Sequence, residues 1–130
     1  MTDSQANLLR PEKFRIDPSR PLYEQYVEQL RTRIVCGQLE PGTRMPSVRD
    51  FAAIMRMNPT TASRTYQELE REKLLETHRG QGTFVTRDTV QIASARRTIA
   101  RAAVKQLHEV ADSLGLSMRE LLALAEGEEA

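Results

Sequence analysis

The feature that most constrains the fold is the break at Asn58-Pro59, inside the stretch MNPTTASRTYQELE (residues 57–70). The residue before a proline is disfavoured in the α region, so a helix has to end before Asn58. Asparagine is a favourable N-cap and proline is favoured at the first helical position, so a new helix starts immediately. The sequence therefore predicts two consecutive helices joined by a tight turn.

Apolar residues at helical spacing predict three helices around this turn. Gly37 is expected to cap the end of the first, and Ser47 to cap the start of the second with Asp50 in the manner of a capping box. The inward-facing residues are Tyr23, Val27, Leu30 and Ile34 in the first helix, Val48, Phe51, Ala52 and Met55 in the second, and Ala62, Tyr66 and Leu69 in the third.

Beyond Lys73 the apolar pattern alternates with period two. The runs LLETH and TFVT flank the loop RGQG, and this arrangement is typical of a β-hairpin. Three short helices followed by a hairpin form a winged helix-turn-helix. The expected fold class is mainly α with a small β-hairpin: a winged helix-turn-helix domain followed by a short α-helical dimerisation tail.

The tail is predicted to begin with a long amphipathic helix. A helix running from Ile92 to Leu114 is longer than a small domain needs, so its apolar stripe is expected to pack against a second copy of the chain. The alternative is that the stripe packs on its own domain. A second helix restarts after Gly115 with a capping box of Ser117 and Glu120. The predicted dimer interface consists of Ile92, Ile99, Ala103, Leu107, Val110 and Leu114.

The 130 residues are enough for one domain with a small appendage. We expect a flexible leader over residues 1–13, the winged domain over residues 14–87, and the helical dimerisation region over residues 88–130. The single cysteine, Cys36, excludes an internal disulfide. The polar N-terminus lacks a signal peptide, and no stretch approaches the roughly 20 apolar residues of a membrane helix. A cytoplasmic protein without membrane contact is expected.

Charge is unevenly distributed along the chain. Residues 44–87 hold eight basic and five acidic residues, whereas residues 117–130 hold one arginine and four glutamates. A basic segment followed by an acidic end favours a nucleic-acid-binding surface in the winged domain.

Three stretches resemble the GntR family of bacterial transcription regulators: PLYEQYVEQLRTRI, LEPGTRMPSVRDFA and NPTTASRTYQELEREKLLETHRGQGTFV. Together they cover about half of the chain, from Pro21 to Thr86. The family commonly has a glycine where this chain has Lys73. The 43 residues that follow Arg87 are too few for a large ligand-sensing or aminotransferase-like domain. This short helical tail is similar to that of the YtrA subfamily.

The resemblance implies a set of DNA-contacting residues. Short side chains in the first turn of a recognition helix let base edges come close, and free N–H groups near Thr60 and Thr61 would favour a phosphate oxygen. An arginine beside glycines at the tip of a wing suits a narrow minor groove. For each residue the alternative is an ordinary solvated side chain. The implied contacts are Arg49, Thr60, Thr61, Ser63, Arg64, Arg79 and Gly80.

The expected function is that of a dimeric transcription regulator, and the resemblance implies a repressor of its own operon with neighbouring transporter genes among its targets. Its expected partners are a second copy and a double-stranded DNA operator with two half-sites; no residue pattern identifies a small-molecule effector. The alternative is a protein-interaction module that keeps the winged fold without binding DNA. The sequence contains no catalytic constellation, and His78 and His108 lack neighbouring ligands, so no enzyme activity, cofactor or metal is expected.

Overall fold

The computed structural model describes residues 2–127. Contacts divide the chain into a first unit that ends at Ser94 and a second that begins at Ala95. The elements in chain order are α1 (Asp3–Asn7), a 3-10 turn (Pro11–Lys13), α2 (Leu22–Val35), β1 (Arg44–Met45), α3 (Val48–Met55), α4 (Pro59–Arg71), β2 (Leu75–His78), β3 (Gly82–Val85), α5 (Thr89–Leu114) and α6 (Met118–Ala125). The predicted fold class, mainly α with a small sheet and a helical tail, is confirmed.

The core of the first unit lies between α2, α3 and α4. The predicted inward-facing residues Leu30, Phe51 and Leu69 are fully buried. Tyr66 stacks on Phe51 with ring centroids 5.1 Å apart, and its hydroxyl donates a 2.7 Å hydrogen bond to the carbonyl of Pro46. Burial raises the pKa of the Tyr66 hydroxyl, which therefore remains a donor. These contacts fix α4 against the start of α3.

The predicted hairpin is present, and a short strand extends it to three strands. The antiparallel order is β1-β3-β2, with Leu75 opposite Val85 and Arg44 opposite Phe84. The sequence did not predict β1, because a two-residue strand carries no periodic pattern. The sheet is attached to the helices through the buried residues Leu74, Leu75 and Val85.

The helix ends follow the sequence signals closely. Asn58 and Ser47 accept hydrogen bonds from the backbone N–H groups of Thr60 (2.7 Å) and Asp50 (3.0 Å). The Ser47 cap is only half of the expected capping box, since no returning bond from the Asp50 side chain is formed within residues 2–127. Two non-glycine residues, Arg56 (φ 54°) and Lys73 (φ 62°), end α3 and follow α4 in the left-handed conformation.

The leader was predicted to be flexible, but the structure shows a short helix with buried side chains. Residues 3–7 form α1, and Gln5 is buried, donating a 3.0 Å hydrogen bond from Nε2 to the hydroxyl of Thr43. Leu9 is only 1 % exposed. The leader packs against residues far along the chain, such as Thr43, so its own polar composition gave no sign of this packing.

An extended segment, residues 14–17, follows the leader and is held by glutamine side chains of α2. Gln29 exchanges hydrogen bonds of 3.0 and 2.7 Å with the backbone of Arg15, and Gln25 does the same with Asp17 at 2.6 and 2.8 Å. Glutamines four residues apart lie on one helix face, which matches alternate residues of an extended chain. Arg33 completes the attachment with its guanidinium 4.0 Å from the Phe14 ring centroid.

The second unit contains most of α5 together with α6. The expected capping box at the start of α6 is formed: Ser117 and Glu120 exchange two hydrogen bonds of 3.1 Å. Gly115 takes a positive φ of 70° at the break between the helices. None of the helices within residues 2–127 is long and apolar enough to cross a membrane.

Candidate nucleic-acid interface

The first turn of α4 is polar and accessible. Thr60 and Arg64 are exposed, and Ser63 is half-buried. These three side chains line one shallow groove together with Pro59 and Gln67. The structure therefore brings together three of the four residues that the sequence assigned to this helix.

Thr61 lies outside that groove and is half-buried. Its carbonyl accepts a 2.8 Å hydrogen bond from the hydroxyl of the buried Thr65. The expectation of a free backbone N–H at Thr60 is wrong, because the Asn58 side chain already accepts from it. The predicted phosphate contact at this helix end therefore no longer includes the Thr60 N–H.

The second helix of the motif contributes an exposed arginine. Arg49 is the second residue of α3, one position after the helix begins. Its side chain makes no hydrogen bond or salt bridge within the part of the chain that the structure describes. Its guanidinium is therefore available to a partner outside the chain.

The acidic residues in the last turns of α4 and directly after it all have partners of their own. Glu72 accepts from Arg31 of α2 through both oxygens, at 2.6 and 2.7 Å. Glu68 pairs with Arg71, which lowers the pKa of the Glu68 carboxyl mainly through this hydrogen bond. Glu70 accepts from the hydroxyl of Thr77 at 2.7 Å. Each carboxylate is paired in the C-terminal half of α4, away from its polar first turn.

The wing presents the remaining predicted residues at its tip. The carbonyl of His78 accepts a 2.8 Å hydrogen bond from the N–H of Gln81, which closes a turn around Arg79 and Gly80. The φ of Gly80 is 78°, whereas the φ of Arg79 is not positive, as in a type II turn. The conformation of Gly80 therefore favours glycine. Arg79 and Gly80 are both exposed.

Two further residues near the interface were not assigned to it from the sequence. Arg44 is exposed on β1, and its Nε lies 3.1 Å from the position that a Cβ on Gly82 would occupy. The basic side chain thus covers the root of the wing. Tyr23 was predicted to face the core but is only half-buried, and its ring lies under the guanidinium of Arg64. The contact of Arg44 with Gly82 and that of Arg64 with Tyr23 each join residues far apart in sequence. Local sequence patterns therefore do not reveal them.

The described part of the chain contains no group of three or more His, Cys, Asp and Glu residues that could hold a metal ion. Cys36 is exposed, and its thiol points to the carbonyl of Arg33 at 3.6 Å.

Comparison with known proteins identifies the family. The family model for bacterial regulatory proteins of the gntR family matches residues 22–85, from the start of α2 to the end of β3. The HTH-type transcriptional repressor YtrA of Bacillus subtilis is 38 % identical over 109 residues, which cover 82 % of this chain and 84 % of YtrA. The chain belongs to the GntR family.

Two further relatives of this GntR-family protein match it over most of both chains. The HTH-type transcriptional regulator YhcF of Bacillus subtilis is 36 % identical over 104 residues, covering 80 % of this chain and 86 % of YhcF. The solved structure of a GntR family transcriptional regulator from Listeria monocytogenes superposes with a TM-score of 0.80 at 33 % identity, covering 88 % of this chain and all of that one. These similarities extend beyond the winged domain and confirm the resemblance to the YtrA subfamily.

The protein is therefore a DNA-binding transcriptional regulator with a winged helix-turn-helix and is not an enzyme. The helix-turn-helix consists of α3 and α4, the hairpin of β2 and β3 is the wing, and α4 occupies the position of the recognition helix.

Proposed function

We propose that this GntR-family protein acts as a homodimeric repressor that binds an operator with two half-sites in its own promoter. In each half-site α4 enters the major groove, where Thr60, Ser63 and Arg64 meet base edges and phosphates. Arg49 approaches the backbone from α3, and Arg79 reaches the flanking minor groove. Repression is supported by the similarity to YtrA, which is named as a repressor.

The proposal of a dimer rests on a row of exposed apolar side chains along α5. Ile99, Leu107, Val110 and Leu114 are between 36 % and 57 % exposed, and Ala103 is exposed as well. Ile92, near the start of the helix, is half-buried. A contiguous row of this kind is typical of a surface that a partner covers. A second copy is the partner that supplies the same row, as in twofold assemblies.

The observation that favours DNA over a protein partner is the polarity of the α4 groove. A protein-binding helix presents apolar anchors at its exposed positions. Here the groove presents an exposed threonine, an exposed glutamine, a half-buried serine and an exposed arginine without a carboxylate partner in residues 2–127. Salt should therefore weaken binding steeply, with a slope of roughly −0.9 for each phosphate contacted.

Selection of bound sequences from random DNA tests the proposal. The expected result is an inverted repeat with half-site centres about 34–36 Å apart. Arg64→Ala removes the arginine that is proposed to contact a base edge. Arg71→Ala is its control, because Arg71 is already paired with Glu68. Arg64→Ala should cost roughly 1–3 kcal/mol at one base pair of each half-site and relax the preference there. No enriched sequence, together with a flat response to salt, would favour the protein-interaction alternative.

Repression itself is tested with the promoter upstream of the protein's own gene joined to a reporter, including the neighbouring transporter genes if they share that promoter. The wild-type protein should lower expression and Arg64→Ala should restore it. An increase in expression with the wild-type protein would identify an activator instead.

A further inference from the structure

The guanidinium of Arg64 has an aromatic partner on another helix. Its Cζ lies 3.8 Å from the centroid of the Tyr23 ring on α2. Tyr23 is the second residue of α2 and is half-buried, whereas Val27 and Leu30, which continue the same stripe, are buried. The ring of Tyr23 thus lies at the edge of the core, where one of its faces is available to α4.

No described carboxylate forms an ion pair with Arg64, although the charge of Arg64 contributes to lowering the pKa of Glu68. Glu68, one turn further along α4, accepts from Nε of Arg71 at 3.0 Å. Glu72, directly after α4, accepts from Nε and one terminal nitrogen of Arg31. Glu68 and Glu72 thus pair with other arginines. Among the described residues, the contact with the Tyr23 ring is the one that defines the position of the Arg64 guanidinium.

Stacking and base recognition use different parts of a guanidinium. The ring attracts the flat face of the cation, whereas the N–H donors lie in the plane and point outward from its edge. Recognition of guanine requires two of these edge donors for O6 and N7. The contact with Tyr23 is therefore compatible with bidentate recognition, and it restricts a flexible side chain before DNA arrives.

We propose that Tyr23 is a positioning residue that holds the Arg64 guanidinium ready for recognition of a guanine. This inference rests on the proposed role of Arg64 in DNA binding. Tyr23 itself needs no contact with DNA. Among the described residues its hydroxyl makes only a long 3.4 Å hydrogen bond to Glu24, so the aromatic face is the part of the side chain that matters.

Three full-length variants test this: Tyr23→Leu removes the aromatic face, Tyr23→Phe keeps it without the hydroxyl, and Arg64→Ala identifies the base pair that Arg64 reads. Affinity is measured on the selected operator and on operators changed at single positions. Tyr23→Leu should reduce discrimination at the Arg64 position about two- to fivefold, with discrimination elsewhere unchanged. Tyr23→Phe should match the wild type. In an Arg64→Ala background, Tyr23→Leu should have no further effect.

Melting temperatures of all variants are measured in parallel, and Tyr23→Gln replaces Tyr23→Leu if the leucine variant fails to fold. Unchanged discrimination in the leucine variant would overturn the inference, as would an equal loss at every position or an effect that persists without Arg64. If the wild type selects a sequence but Arg64→Ala weakens all DNA equally, this inference fails while the proposed function stands. If the wild type selects no sequence, both fail.

Discussion

At the scale of single residues, the left-handed conformation of Lys73 carries a cost in stability. Residues with a Cβ are disfavoured at its φ of 62°, typically by about 1–2 kcal/mol, whereas glycine adopts it freely. The GntR family commonly places glycine at this position, directly after the recognition helix. Here the backbone at this position is left-handed although the residue carries a Cβ, and the backbone of Lys73 is therefore strained.

We expect Lys73→Gly to raise the free energy of unfolding by about 1 kcal/mol, measured by urea denaturation. Lys73→Ala is the matched control, because it removes the same side chain while keeping the Cβ and its strain. Equal stabilisation by both substitutions would mean that the lysine charge, and not the backbone, is responsible.

Tyr66 tests the packing behind the recognition helix. Tyr66→Phe leaves the Pro46 carbonyl without its 2.7 Å hydrogen bond and should lower the free energy of unfolding by about 1 kcal/mol. Tyr26→Phe is the control, since the Tyr26 hydroxyl makes no hydrogen bond to other described residues, while Tyr26 is also a core residue at 8 % exposure against 1 % for Tyr66. If the two substitutions cost the same, the bond to Pro46 does not hold α4 in place.

At the scale of elements, the wing is expected to read groove shape. Arg79→Ala should weaken binding mainly to operators with A·T-rich flanks, because a narrow minor groove attracts arginine. Gln81→Ala, at another exposed position of the same turn, should leave the dependence on the flanks unchanged. Fluorescence anisotropy on duplexes that differ only in their flanks measures this effect. If Arg79→Ala loses affinity equally on all flanks, Arg79 contacts phosphate without reading the groove.

The elements that the sequence predicted correctly are those whose signals are local. The Asn58 cap with Pro59, and the Ser117 box with Glu120, each lie within a few residues of the helix that they start. The elements that it missed depend on distant partners. The strand at Arg44–Met45 exists through its pairing with β3, and α1 is held at Thr43.

The same distinction applies to the candidate site. Thr60, Ser63 and Arg64 share one helix turn, so their common groove follows from helical periodicity. The stacking of Arg64 on Tyr23 joins two helices far apart in sequence and required the structure. The DNA contacts themselves remain predictions for all seven assigned residues.

At the scale of the whole molecule, the proposed dimer depends on the α5 row. Leu107→Asp should place an unpaired carboxylate in the interface at a cost of roughly 3–5 kcal/mol and so produce a monomer, measured by light scattering. Lys105→Asp introduces the same carboxylate two residues away, on the opposite face of α5, and should remain dimeric. If both variants stay dimeric, the row does not form the interface, and an effector site becomes the better explanation for it.

The twofold arrangement is tested by measuring affinity for the selected operator before and after about five base pairs are inserted between its half-sites. That insertion rotates one half-site by about half a helical turn. A dimer that reads both half-sites should lose most of its affinity, whereas Leu107→Asp should bind both duplexes equally weakly. Undiminished binding of the wild-type protein to the altered operator would contradict the twofold arrangement on which the proposed function rests.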